Sequence, residues 1–177
     1  FTFQNKSMSV LIDGVVIEQP FFGGTNQPRI QWLDWDDDGD TDLFLQDEDN
    51  HLRYYENLGD SFSYDFYLIT TNFQNLNLGN WFLLQDFDGD GDSDLMTQNE
   101  NIAQGSYRAI KYYKNQNSIL SLSAESIMTD EFEPVYSEYV STPTFADLNN
   151  DGKLDFFTGN AANGSITFYE NIGLIDS

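Results

Sequence analysis

A single motif returns three times along this chain, in a fixed register, and limits its fold more than any other feature. Asp34-Trp-Asp-Asp-Asp-Gly-Asp-Thr-Asp42, followed by Leu-Phe, recurs as Asp86-Phe-Asp-Gly-Asp-Gly-Asp-Ser-Asp94, followed by Leu-Met. It recurs again as Asp147-Leu-Asn-Asn-Asp-Gly-Lys-Leu-Asp155, followed by Phe-Phe. The starts lie 52 residues apart (Asp34 to Asp86) and then 61 apart (Asp86 to Asp147). A second anchor, an aromatic stretch ending in Asn, keeps step with the first. It reads Arg53-Tyr-Tyr-Glu-Asn57, Lys111-Tyr-Tyr-Lys-Asn115 and Thr167-Phe-Tyr-Glu-Asn171, with a further copy at Phe1-Thr-Phe-Gln-Asn5. Phe3 precedes Asp34 by 31 residues, Tyr55 precedes Asp86 by the same 31, and Tyr113 precedes Asp147 by 34. Two independent anchors in one register mean a chain built of repeats, here at about 3–54, 55–112 and 113–169. Repeats of this period stack on one another to bury a continuous core.

Each repeat reads as β. One strand enters the Asp loop (30–33, 81–84, 144–146) and a second leaves it (43–46, 95–98, 156–158). The aromatic stretch is the third, and a fourth is expected at 10–17, 64–70 and 135–140. These segments are short, rich in β-branched and aromatic residues, and divided by Gly, Asn and Asp. The second strand is apolar on both faces (Leu43, Phe44, Leu45), which suits a sheet covered on both sides. The best helical candidate, 120–128, has no convincing period. Four short strands per repeat predict an all-β fold of three consecutive four-stranded β-propeller blades, forming one segment over 1–177. A closed ring takes roughly 4–8 blades. The expectation is therefore part of a larger propeller, completed by further blades of the same chain or by a partner protein.

Charge narrows the partners. With 30 acidic and 7 basic residues the formal net charge is -23. Nucleic acid and anionic membrane surfaces repel such a chain, whereas a divalent cation suits it. Six acidic residues lie in 34–42, five in 86–94 and three in 147–155, so nearly half of the 30 sit in the three loops. Aromatic residues make up 16%, too many for a disordered acidic tail. The absence of Cys excludes disulfides, thiolate metal sites and a thiol nucleophile. No apolar stretch approaches the roughly 20 residues of a membrane helix, so no membrane insertion is expected. Asp13 and Glu18 interrupt the first apolar run, which does not read as a secretory signal.

The loop pattern points to calcium, which takes six to eight hard oxygen ligands at about 2.3–2.6 Å. Positions 1, 3, 5 and 9 are Asp34, Asp36, Asp38 and Asp42 in the first loop and Asp86, Asp88, Asp90 and Asp94 in the second. In the third they are Asp147, Asn149, Asp151 and Asp155. Alternate residues at 1, 3 and 5 can point inward around one ion, Gly at 6 permits a sharp turn, and the acid at 9 closes the shell. Position 7 (Asp40, Asp92, Lys153) varies in chemistry and is expected to ligate through its backbone carbonyl. An EF-hand would need a bidentate Glu at position 12, where this chain has Leu45, Thr97 and Thr158, and flanking helices. Magnesium prefers fewer carboxylates and more water. About three calcium ions are expected, one per repeat. The third loop, with Asn149 and Lys153, is expected to be the weakest.

The pattern Asp-x-Asp/Asn-x-Asp-Gly-x-x-Asp-apolar, preceded by an apolar strand, resembles the FG-GAP/VCBS repeat family, to which integrin α-subunit propellers and many secreted bacterial proteins belong. The Tyr-Tyr-Glu-Asn stretch followed by Leu-Gly or Ile-Gly resembles the bacterial members in particular. The resemblance implies a propeller of about seven or eight blades, with calcium in the loops on one face. It also implies a place at the cell surface or in the medium.

The sequence offers little for catalysis. The sole His, His51, lies in a polar turn and reads as a solvated loop residue. The expected role is an extracellular scaffold for adhesion or for protein or carbohydrate binding, with no enzymatic activity. The alternative is the non-catalytic propeller portion of a secreted carbohydrate-active enzyme such as a polysaccharide lyase. Candidate ligand-facing aromatics opposite the loops are Phe21, Phe22 and Phe73, beside Asn75; the same rings would also serve as plugs between blades.

Overall fold

A computed structural model describes residues 10–17, 25–59 and 65–173. These residues form antiparallel β-sheets with almost no helix. The aromatic copy at 1–5 and the residues Phe21 and Phe22 lie outside the described residues.

Strands β1 (Val10–Ile12) and β2 (Val15–Ile17) form a hairpin by themselves. The single strand expected over 10–17 is thus broken in two. Asp13 and Gly14 both have positive φ, 52° and 83°. Asp-Gly between apolar runs is the pair that a two-residue hairpin turn requires.

The first large sheet runs β3 (Arg29–Leu33), β4 (Asp42–Gln46), β5 (Leu52–Asn57) and β6 (Phe66–Thr70), each paired with the next. The second runs β7 (Phe82–Gln85), β8 (Asp94–Gln104), β9 (Tyr107–Gln116) and β10 (Ile119–Ala124). Segment 120–128 is therefore strand over its first half and contains no helix. The expected fourth strand near 135–140 is β11 (Tyr136–Glu138). It shares the edge of β9 with β10, because β9 is long: Tyr112 to Gln116 pair with β10, while Tyr107, Arg108 and Ala109 pair with β11. The third sheet has three strands, β12 (Thr144–Ala146), β13 (Asp155–Gly159) and β14 (Ile166–Tyr169). In each of these three sheets the Asp loop joins the first strand to the second.

The sheets stack through side chains that alternate along the strand leaving the loop. The first residue after the ninth-position Asp faces the preceding sheet, and the second faces the next. Thus Leu95 packs with Phe44, Leu52 and Tyr54 of the first sheet. Met96 packs on the opposite side with Trp81, Ile110 and Phe156, the last from the third sheet. Each fully buried large apolar side chain contributes about 1.5–3 kcal/mol. Phe73, in the linker between the first two sheets, is nearly as deeply buried. It sits edge-on to Trp35 and Phe44, with ring centroids 5.3 and 5.2 Å apart, and plugs the gap between the sheets.

Side-chain amides tie the layers together. The Gln31 amide accepts from the Leu84 N–H at 2.8 Å and donates to the carbonyl of the same residue, which clips β3 to β7. Gln46, four residues after Asp42, donates to the Gly79 carbonyl at 2.7 Å. Gln98, four residues after Asp94, donates to Ser137 Oγ at 2.9 Å and to the Glu138 carbonyl at 3.0 Å. Through their Nε2 groups Gln46 and Gln98 reach the segment that leads into the next layer, so donors that would be costly to bury unpaired find acceptors.

Candidate metal centres

The three loops are built alike from the backbone upward. Position 6 is left-handed in each: Gly39 φ 96°, Gly91 φ 97°, Gly152 φ 86°. So is position 4, occupied by Asp37 (62°), Gly89 (79°) and Asn150 (60°). Gly and Asn, and to a lesser degree Asp, tolerate that region, so the sequence carried a signal at position 4 that the spacing argument left unused. The first carboxylate of each loop accepts the N–H of position 6: Asp34 from Gly39 at 3.1 Å, Asp86 from Gly91 at 3.0 Å, and Asp147 from Gly152 at 2.9 Å. The fifth accepts the N–H of position 7 in the same three-fold way. These bonds bend the chain so that its acidic side chains crowd one another.

The ninth-position Asp is buried in all three loops and works inside the protein. Asp42 accepts from the Asn57 N–H at 2.9 Å on one oxygen, and from the Trp35 N–H at 3.1 Å and the Tyr54 hydroxyl at 3.0 Å on the other. Asp94 repeats this with Asn115 (2.8 Å), Phe87 (3.3 Å) and the Tyr112 hydroxyl (2.8 Å). Asp155 takes the Asn171 N–H at 2.9 Å and the Leu148 N–H at 3.1 Å. The side chain that would complete this third set is Phe168, which has no hydroxyl. The terminal Asn of the aromatic anchor is thus the residue whose backbone holds the loop. Burial, and then the neighbouring aspartate, push the Tyr54 and Tyr112 hydroxyls well above the usual tyrosine range. Burial also raises Asp94, against the three donors that stabilise its charge.

Among the described residues, two sets of carboxylates converge: Asp34, Asp36 and Asp38 in the first loop, and Asp86, Asp88 and Asp94 in the second. One oxygen from each residue lies within 4.8 Å of the others in its set. Two ligands at about 2.4 Å from one calcium ion are at most about 4.8 Å apart, so the spacing fits a hard dication. Asp40 Oδ1 is buried without a hydrogen-bond partner beside the first set, an acceptor that a cation would satisfy. Burial, then repulsion from Asp38 and Asp42, holds the Asp36 and Asp40 carboxyls above their usual range. Asp42 lies outside the first converged set, and Asp90 outside the second. Asp92, at position 7, caps nothing through its side chain, while its N–H binds Asp90. Asn149 accepts the Asp151 N–H and donates to Glu170 at 3.0 Å.

Two lysines touch the loops. Lys114, on β9, contacts Asp88 and lies 3.0 Å from Asp90 Oδ2. Lys153, inside the third loop, lies 3.2 Å from Asp151 Oδ2. Asp90 and Asp151 are both held below the usual carboxylate range, first by the position 7 N–H and then by these ammonium groups. His51 is exposed in its turn, 3.9 Å from Asp49, which Arg53 also binds.

Residues 86–158 match the family model described as an FG-GAP-like repeat. The matched span starts at the first Asp of the second loop and runs through the third loop into β13, so the resemblance read from the loop residues holds over that span. No curated protein and no solved structure matches the chain significantly. Among the described residues no helix is long and apolar enough to cross a membrane.

Proposed function

We propose that this chain is a calcium-stabilised repeat module whose three stacked sheets are consecutive β-propeller blades. It acts outside the cell as a scaffold for adhesion or for protein or carbohydrate binding, without catalysis of its own. The observation that carries this reading is the common backbone architecture of the three loops, which in the first two converges three carboxylates at the end of the sheet. Calcium would be held by the side-chain oxygens at positions 1, 3 and 5 (Asn149 supplying an amide oxygen in the third loop), by the position 7 carbonyl and by the ninth-position Asp, both of whose oxygens already accept hydrogen bonds from the fold. Bound there, it neutralises mutual repulsion and locks the turn between the first two strands. Exposed loops with modest preorganisation suit the high calcium of extracellular fluid.

The test is a pair of thermal melts, one with excess chelator and one with calcium. A ligand that binds only the folded state adds about 2.7 kcal/mol per site at a hundred times its Kd. That corresponds to a rise of roughly 5 °C or more per loaded site for a domain of this size. Superimposable melts would overturn the reading.

A second reading, the non-catalytic propeller portion of a carbohydrate-active enzyme, draws on a cleft of about 200 Å³ between the second and third sheets. Tyr107, Tyr136, Tyr169, Gln104 and Asn160 line it, a mixture of rings and amides that suits a sugar. Retardation by polysaccharides in affinity electrophoresis, lost on Tyr136→Ala, favours carbohydrate as the partner.

A further inference from the structure

The three loops differ in one respect that their shared motif hides, which is the fate of the fifth-position carboxylate. In the first loop Asp38 joins Asp34 and Asp36 in the converged set, and no lysine touches it among the described residues. In the second loop Asp90 is missing from the converged set and is held instead by Lys114, which also contacts Asp88. In the third loop Asp151 is held by Lys153 and no three carboxylates converge.

The position that faces the loop from the aromatic strand is occupied in turn by Glu56, Lys114 and Glu170, each the residue before the terminal Asn. In the first loop this residue adds negative charge: burial, then the field of Asp36 and Asp42, raises the Glu56 carboxyl. In the third, Glu170 Oε1 accepts from the Asn149 amide at 3.0 Å. Only the second loop meets a cation there.

We infer that Lys114 and Lys153 are resident counter-cations of the second and third loops, each of which withdraws when a divalent cation enters, so that the first loop fills first. This inference rests on the calcium reading given above. An ammonium group supplies one charge at one point. It offsets part of the carboxylate repulsion in the ion-free loop, which removes part of the gain that a dication would otherwise bring. The entering ion must break the contact before the fifth-position oxygen can turn inward. Counting carboxylates alone would rank the first two loops together; Lys114 separates them.

Calcium titration of the 177-residue chain by calorimetry tests this, with circular dichroism confirming that each variant folds. The expected result is one tight site and two weaker ones. K114Q and K153Q each strengthen one weak site, by about threefold to tenfold from the loss of a partly exposed ion pair. K114R leaves the second loop weak. E56K places a cation against the first loop and weakens the tight site by about tenfold. A second readout follows the ammonium itself. Acylation of Lys114 by an amine-reactive ester, followed by peptide mass spectrometry, speeds up severalfold when calcium is added.

Three equal sites in the natural chain would overturn the inference. So would calcium binding that K114Q and K153Q leave unchanged, or a Lys114 acylation rate indifferent to calcium while the second loop is loaded. These results leave the calcium reading standing. No calcium binding by the natural chain or any variant would bring down both.

Discussion

The ninth-position aspartate carries more of the fold than of the loop. Asp42 is 1% exposed and receives three donors, one from its own loop and two from β5. Asp42→Ala strands the Asn57 and Trp35 N–H groups and the Tyr54 hydroxyl, each of which costs about 1–3 kcal/mol when buried without an acceptor. Urea unfolding in chelator is expected to show a loss of about 3–5 kcal/mol for Asp42→Ala, against about 1–2 kcal/mol for Tyr54→Phe. The third loop supports the smaller figure, since Phe168 occupies the corresponding place and Asp155 keeps only its two backbone donors. The sequence made the acidic positions legible, because their spacing is local and repeats. It did not reveal that position 9 is a structural hub. Besides a loop N–H 7 residues away, its partners lie 12 to 21 residues away on the aromatic strand and become neighbours only when the sheet forms. Nor did it reveal Lys114, whose contact with Asp88 spans 26 residues.

Among the elements, the strands that flank the loops were readable to within a residue or two, because apolar runs there end at Asp and Gly, except that β8 continues six residues past the expected end at 98 to Gln104. The pieces that escaped were those with a competing signal. In 10–17 the Asp13-Gly14 pair overrides the apolar run and makes a hairpin. In 119–124 alternation leaves Leu120 buried and its neighbours exposed, a strand pattern too short to stand out. The shared edge of β9 depends on how long that strand grows, which no local pattern states. Between the elements, one glycine sets how closely the linker after the first sheet lies against β8. A Cβ at Gly79 would lie 2.5 Å from both Cβ and the carbonyl oxygen of Gln98, backbone and branch point alike. Gly79 also donates its N–H to Thr97 and accepts from Gln46, so it cannot shift without breaking both bonds. Gly79→Ala is expected to cost about 2–3 kcal/mol by overpacking, read as a lower urea midpoint with an unchanged slope. A variant as stable as the natural chain would show that the linker can move.

Across the whole molecule, the alternation that packs the middle sheet leaves the outer two with apolar faces turned outward. On the first sheet Ile30 is 55% and Trp32 52% exposed, beside Leu43. On the third, Ile166 is 73% and Phe168 44% exposed, with Phe168 against Phe157 at 5.0 Å between ring centroids. Contiguous apolar surface of this kind draws partners. Residues 1–177 produced alone in saturating calcium are expected to scatter light as multiples of 20.3 kDa. Trp32→Lys combined with Phe168→Lys is expected to shift the mass toward the single chain, and a monodisperse 20.3 kDa natural chain would refute this. The two outward faces are not alike: one is the side that looks backward along the stack, the other the side that looks forward, and each matches the counterpart already buried beside the middle sheet. Contacts between unlike faces are heterologous and possess no two-fold axis. Assembly through them is consequently directional, and the rotation from one layer to the next decides between a closed cyclic object and a filament without end.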